Sequence, residues 1–231
     1  MAEKIVSSEL RELSVYNTIL LAIAKGENKL NDLFNYTGYS RPKISVYMKN
    51  LSHFDIIEKV VSFETGGWDN AKKGVYRIKD TYINFYYRFV YPHLSDLYMM
   101  TPEEFYDTYI ENELDDYLSR YFINVCMEYL SLLNQIRRLP LVVTKMGTWV
   151  GKTGNIDIIA QSADRQNIVG ICNWEKKEFT LGMCKDLFDS MTKAKITSKH
   201  IYLFSATSFS PDVVELARLD KRFELVDMKE L

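Results

Sequence analysis

Two short apolar, β-branched stretches, Asn155-Ile-Asp-Ile-Ile-Ala160 and Ile168-Val-Gly-Ile-Cys-Asn173, most constrain what this chain can fold into. Only a polar turn, Gln161 to Asn167, separates them, so they predict two strands side by side. Further strand signals fall at about Leu141–Met146, His200–Phe204 and Phe223–Val226. Helical patterns cover about Leu181–Ala194 and Pro211–Leu219. A long amphipathic helix over Tyr117–Gln135 precedes them, with Tyr121, Phe122, Val125, Cys126, Tyr129 and Leu132 expected on its inner side. The order αβββαβαβ is that of a small mixed sheet flanked by helices.

The N-terminal part has a different grammar. Ser14 to Lys25 carries an apolar stripe of Tyr16, Ile19, Leu20, Ala22 and Ile23, stopped by Gly26. A shorter helix, Leu30 to Tyr36, ends at Gly38. Ser40 is a good N-cap for a third, with Pro42 in its first turn and Ile44, Tyr47, Met48 and Leu51 at helical spacing. Ile56–Phe63 and Val75–Ile78 read as strands joined by the loop Thr65–Gly74. Three helices followed by a hairpin predict a winged helix-turn-helix over residues 1–80. Asp80–His93 is dominated by aromatics and reads as a buried helix; Asp96–Asp116 is acidic and helical. The expected organisation is α+β: a winged helix at 1–80, an aromatic and acidic helical connector at 81–118, and a second domain at 119–231.

Composition bounds the function. At 231 residues, with 47% hydrophobic and 26% charged residues, the chain is an ordinary folded protein of one large or two small domains. No apolar run approaches a membrane span, so no membrane partner is expected, and the N-terminus lacks the apolar core of a secretory signal. Cys126, Cys172 and Cys184 form an odd, scattered set, which predicts reduced thiols and a cytoplasmic location. His53, His93 and His200 lie far apart, which argues against zinc. Between Lys25 and Lys79 ten basic residues face six acidic ones; from Asp80 to Gln135 two basic residues face ten acidic ones. The third helix offers Ser40, Arg41, Lys43, Ser45 and Lys49, and the wing offers Lys72, Lys73 and Arg77, as contacts to double-stranded DNA. The other reading is a protein-contact module whose charges are solvated surface.

Gly147-Thr-Trp-Val-Gly-Lys-Thr153 looks like a phosphate-binding loop but has three residues where four are needed between the glycines. A strand, not a helix, follows it, so a hairpin turn is expected instead. Asp157 is the remaining candidate for metal chemistry. A divalent cation such as Mg²⁺ needs hard oxygen ligands, and one carboxylate is a poor cage. Downstream, Glu175-Lys-Lys177 lies about 13 Å further along if the chain stays extended, and reads as a charged turn.

Together these residues resemble the C-terminal half of archaeal-type P-loop ATPases, a winged helix followed by a tail domain related to PD-(D/E)XK nucleases. The resemblance rests on Gly74-Val-Tyr-Arg-Ile-Lys-Asp80, the aromatic run Ile83–Val90, Gly147-Thr-Trp149, Asn155-Ile-Asp157 and Gly170-Ile-Cys-Asn-Trp174. It implies a restriction-endonuclease-like αβββαβ domain in which the first strand supplies a metal-binding Asp and the second a Glu-x-Lys. Here three acidic positions and one lysine of that pattern have become Ile123, Asn155, Ile171 and Asn173, while Asp157, Cys172 and Trp174 remain. The expectation is a DNA-binding or regulatory module of an ATPase system whose nuclease-like domain is inactive, with Asp157 vestigial and no cofactor. The implied partners are double-stranded DNA, a P-loop ATPase domain or subunit, and a second copy of the chain. The alternatives are a Mg²⁺-dependent nuclease with a rearranged site built from Asp157, Glu175 and Lys177 or Lys185, and a protein-interaction or dimerisation module.

Overall fold

Glycine and proline punctuation gives the first helices their ends. In the computed structural model, which describes residues 12–63, 74–151, 154–175 and 177–231, α1 (Leu13–Ala24) is followed by Gly26 at φ +102°, and α2 (Leu30–Thr37) by Gly38 in the left-handed region. Pro42 sits in the first turn of α3 (Arg41–His53), and Ser40 holds the N-cap position but its hydroxyl makes no capping hydrogen bond. The expected strand Ile56–Phe63 is shorter: β1 (Ile57–Val60) pairs antiparallel with β2 (Val75–Ile78).

The aromatic segment is helical but not one α-helix. The Asp80 carboxylate caps α4 (Thr81–Phe85), a π-helical turn covers Tyr86–Val90, and a 3₁₀ turn covers Tyr91–His93. Crowded rings at Tyr86, Tyr87 and Tyr91 accompany that wider winding. The acidic stretch forms α5 (Leu94–Leu97), α6 (Pro102–Tyr109), closed by a capping box between Thr101 and Glu104, and the start of α7 (Glu111–Gln135).

The described residues divide into two compact units, 12–61 with 74–113, and 62–63 with 114–231. The first is built on Ile19, Leu20, Leu33, Ile44, Leu51 and Ile57, all essentially inaccessible. Its core contains a polar pair in which the Tyr87 hydroxyl donates to Asn17 Oδ1 at 2.7 Å.

In the second unit, β3 (Val143–Val150), β4 (Asn155–Ser162), β5 (Asn167–Asn173), β6 (His200–Ser205) and β7 (Phe223–Asp227) lie in that order in one sheet. β3, β4 and β5 are antiparallel; β5, β6 and β7 are parallel. The helices α8 (Leu181–Ala194) and α9 (Pro211–Leu219) make the two parallel crossovers. Phe122, Cys126 and Leu130 of α7 pack with Ile158, Ala160 and Ile168. Residues of α8 and α9, including Leu187 and Val213, pack with Ile156, Ile159 and Val169. The inner face of α7 therefore differs from expectation: Val125 and Leu132 are 44% and 55% exposed. They lie about 100–120° around the helix from Cys126, at the margin of the stripe.

Gly147 to Val150 is strand, not turn; the hairpin turn comes later, where Gly151 N–H donates to Gly154 O at 3.1 Å. Gly154 has φ +103°, and a Cβ there would come within 2.6 Å of Ser190 Oγ, so both backbone and space require glycine. No helix among the described residues is long and apolar enough to cross a membrane.

Replacing Tyr87 by Phe strands the buried Asn17 amide without its donor. We expect a loss of about 1–3 kcal/mol in urea-denaturation stability; an unchanged midpoint contradicts a role for this pair.

Candidate functional site

β4 changes phase at Asp157. Gly147 pairs with Ile159, but Trp149 pairs with Ile156, so β4 has one residue more than β3 between these pairs. Thr148 Oγ1 donates to Asp157 O at 2.8 Å across the irregularity. A bulge of this kind puts two successive side chains on one side of a sheet. Accordingly Ile156 joins the α8 and α9 face, whereas Ile158, only two residues on, joins the α7 face.

The ladder between β4 and β5 stops at the same place, with Ile158 opposite Gly170 as its last pair. β5 continues alongside β6 to Asn173. Beyond the last β4 partner, the Cys172 N–H donates to Asp157 Oδ2 at 2.8 Å. The carboxylate thus supplies an acceptor where the ladder supplies none. Burial pushes the Asp157 carboxyl above its ordinary range, and the Cys172 N–H pulls it partly back.

A cavity of about 620 Å³ opens here. One wall is α7, with Asp115, Asp116, Ser119 and Ile123; the other is Asp157 and the end of β5, with Ile171, Cys172 and Asn173. Trp174, Glu175 and Met183 complete it, and Trp174 packs its ring 5.3 Å from Phe122. The four positions Ile123, Asp157, Ile171 and Asn173 therefore line one cavity, whereas Asn155 is exposed and outside it. Among the described residues, none that lines the cavity is Lys, Arg or His.

Asn173 is occupied structurally. Its Nδ2 donates to Lys177 O at 3.0 Å, and its Oδ1 accepts from Glu175 N at 3.2 Å. That second bond bends the chain back after β5. Glu175 consequently lines the cavity, contrary to the separation expected for an extended chain. Lys177 and Lys185 are exposed and do not line it. Asp115 and Asp116, read in the sequence as part of an acidic connector, are additional members. Their positions eight and seven residues before Ile123 place them on the same helix face, a signal legible in the sequence. Among the described residues no three His, Cys, Asp or Glu side chains come together closely enough to hold a metal ion.

In the first unit, Arg41, Ser45 and Lys49 are exposed at i, i+4 and i+8 along α3. The Arg41 guanidinium lies 4.4 Å from the centre of the Phe34 ring and its Nη2 donates to Asn31 Oδ1 at 3.1 Å. Lys43 lies over Tyr39 and Tyr47, off that row. Arg77 is paired with Glu58 at 2.6 Å. Lys72 and Lys73 lie outside the described residues.

Residues 86–184 match the DUF234 family model, described as archaea bacterial proteins of unknown function. Every residue lining the cavity falls within that span. An uncharacterised protein of Methanocaldococcus jannaschii is 35% identical over 153 residues, covering 66% of this chain and 34% of the relative. The chain thus spans about a third of the length of that curated relative. No solved structure matches.

The raised Asp157 carboxyl has a thermodynamic signature. Unfolding returns it to its ordinary value near 3.8, so the unfolded chain releases this proton first as pH rises. Its contribution is fully present below that value and is lost as pH climbs through the folded-state value. Asp157→Asn, which keeps an oxygen acceptor, removes this loss. Relative to wild type it gains about 1.4 kcal/mol at neutral pH for each pH unit by which burial raises the group. The gain vanishes below pH 3.8 in thermal melts across pH. A variant less stable than wild type at neutral pH contradicts this.

Proposed function

We propose that the chain is a DNA-binding or regulatory module of an archaeal-type ATPase system, a winged helix joined to a nuclease-like domain that does not cut. The observation that carries this is the make-up of the cavity. Its buried carboxylate serves a backbone N–H, an isoleucine stands where a second ligand is needed, and the amide of Asn173 is committed to the loop that follows. Hydrolysis of a phosphodiester needs a cation to neutralise developing charge and activate water. Among the described residues the lining brings Asp115, Asp116 and Glu175 beside Asp157 without a cation, a surrounding that disfavours a phosphate.

DNA contact is assigned to the exposed α3 row, with Arg41 and Lys49, Lys43 beside it, and the wing. Arg41 can leave its Asn31 and Phe34 contacts for a phosphate because the guanidinium and its Asn31 partner are exposed. A partner ATPase domain or subunit and a second copy of the chain are the protein partners of this reading.

A metal-dependent nuclease is the alternative that one observation favours, since Glu175 returns to the cavity that holds Asp157. The two are separated by one assay. Purified protein with Mg²⁺ or Mn²⁺ is expected to leave duplex DNA and RNA intact; cleavage that requires metal and disappears in Asp157→Ala establishes the nuclease instead. Duplex DNA is expected to bind in a salt-dependent manner. Arg41→Ala and Lys49→Ala should each lower the slope of log K against log salt by about 1. Mobility shifts insensitive to both changes contradict the α3 assignment.

A further inference from the structure

A pair of thiols lies behind the cavity wall. Cys126, on α7, is fully buried, and Cys172, on β5, packs against the same core cluster. Phe122, one turn before Cys126, packs on Trp174, and Tyr129, one turn after it, packs on Phe204, the β6 residue paired with Cys172. Forty-six residues apart in sequence, they are neighbours because α7 lies on the sheet face that Cys172 joins. Their access differs. Cys172 lines the cavity, whereas Cys126 sits behind it with no exposed surface. Cys184 belongs to the core on the other face of the sheet.

We propose that Cys126 and Cys172 are a modification site: a reversible disulfide formed through the cavity by an oxidant of the peroxide class. This goes beyond the proposed DNA-binding role and does not depend on it. Cys172 sulfur attacks one peroxide oxygen, the O–O bond breaks, and the thiol proton leaves with the departing oxygen as water. Cys172 is then a sulfenic acid. Cys126 sulfur attacks it, the S–S bond forms, the S–OH bond breaks, and hydroxide takes the Cys126 proton. Two thiols lose two electrons in total and one peroxide becomes two waters. Burial pushes the Cys172 thiol well up, so it reacts slowly at neutral pH and requires excess oxidant. The product ties the helix bearing Asp115, Asp116 and Ile123 to the strand whose N–H holds Asp157. It closes a long loop, which constrains the unfolded chain.

The experiment is treatment of the full chain with excess hydrogen peroxide, quenching, alkylation and non-reducing peptide mass analysis. The expected product is a Cys126–Cys172 linked peptide lighter by two hydrogens, reversed by a thiol reductant. It should be accompanied by a rise in melting temperature on the order of 10 °C, and should persist in Cys184→Ser. A linked peptide involving Cys184 overturns the proposal. So does oxidation of Cys172 to sulfinic acid with Cys126 left alkylated, or all three thiols remaining reduced while urea-unfolded chain oxidises. Because the decisive readout is on wild-type protein, it does not depend on a cysteine variant that folds.

Discussion

The hydrogen bond from the Cys172 N–H to the Asp157 carboxylate is the interaction on which the second unit's site depends. Backbone donors in a sheet must be satisfied, and β4 abandons β5 after the Ile158–Gly170 pair. The extra residue in β4 turns Asp157 toward the α7 side just where that ladder ends. One side chain then does what the next backbone carbonyl would have done. The gap left between the diverging strands and α7 is the cavity.

That arrangement fixes the electrostatics. A carboxylate that leaves water for a single N–H partner is held towards its neutral form by burial. A metal-binding carboxylate has the opposite requirement, a stable negative charge facing a cation with other oxygen ligands beside it. The remaining acids of the cavity are on α7 and on the returning loop, and Asp116 is itself paired with Arg120 at 3.1 Å. The same geometry therefore gives Asp157 a structural role that needs no metal. It also places the Cys172 sulfur between the cavity and the core.

Much of this architecture was legible in the sequence because its determinants are local. The α8 and α9 limits, Leu181–Ala194 and Pro211–Leu219, coincide with the periodic runs, since Pro211 opens one helix and Ala194 precedes a left-handed Lys195 in the other. The succession of strands and helices along the second unit, and a mixed sheet, followed from alternating strand and helix signals. What was illegible is non-local. Nothing around Asn155–Ala160 announces a bulge, which exists only relative to the β3 register. The return of Glu175 depends on the Asn173 side chain bonding two residues ahead, a choice that competes with continued strand. The inner face of α7 excludes Val125 and Leu132, which the sequence pattern includes because several apolar residues on that helix fit more than one stripe. The proximity of Cys126 and Cys172 depends on how α7 lies on the sheet, which their spacing does not encode.

The most direct measurement is the Cys172 amide proton under manganese titration, followed by NMR on the full chain. If the Asp157 carboxylate is committed to that N–H, the resonance stays downfield and keeps its linewidth as Mn²⁺ is added. If Asp157 is instead a metal ligand, Mn²⁺ broadens the Cys172 amide at stoichiometric amounts and Asp157→Asn abolishes the broadening, a result that contradicts the structural role assigned to this carboxylate.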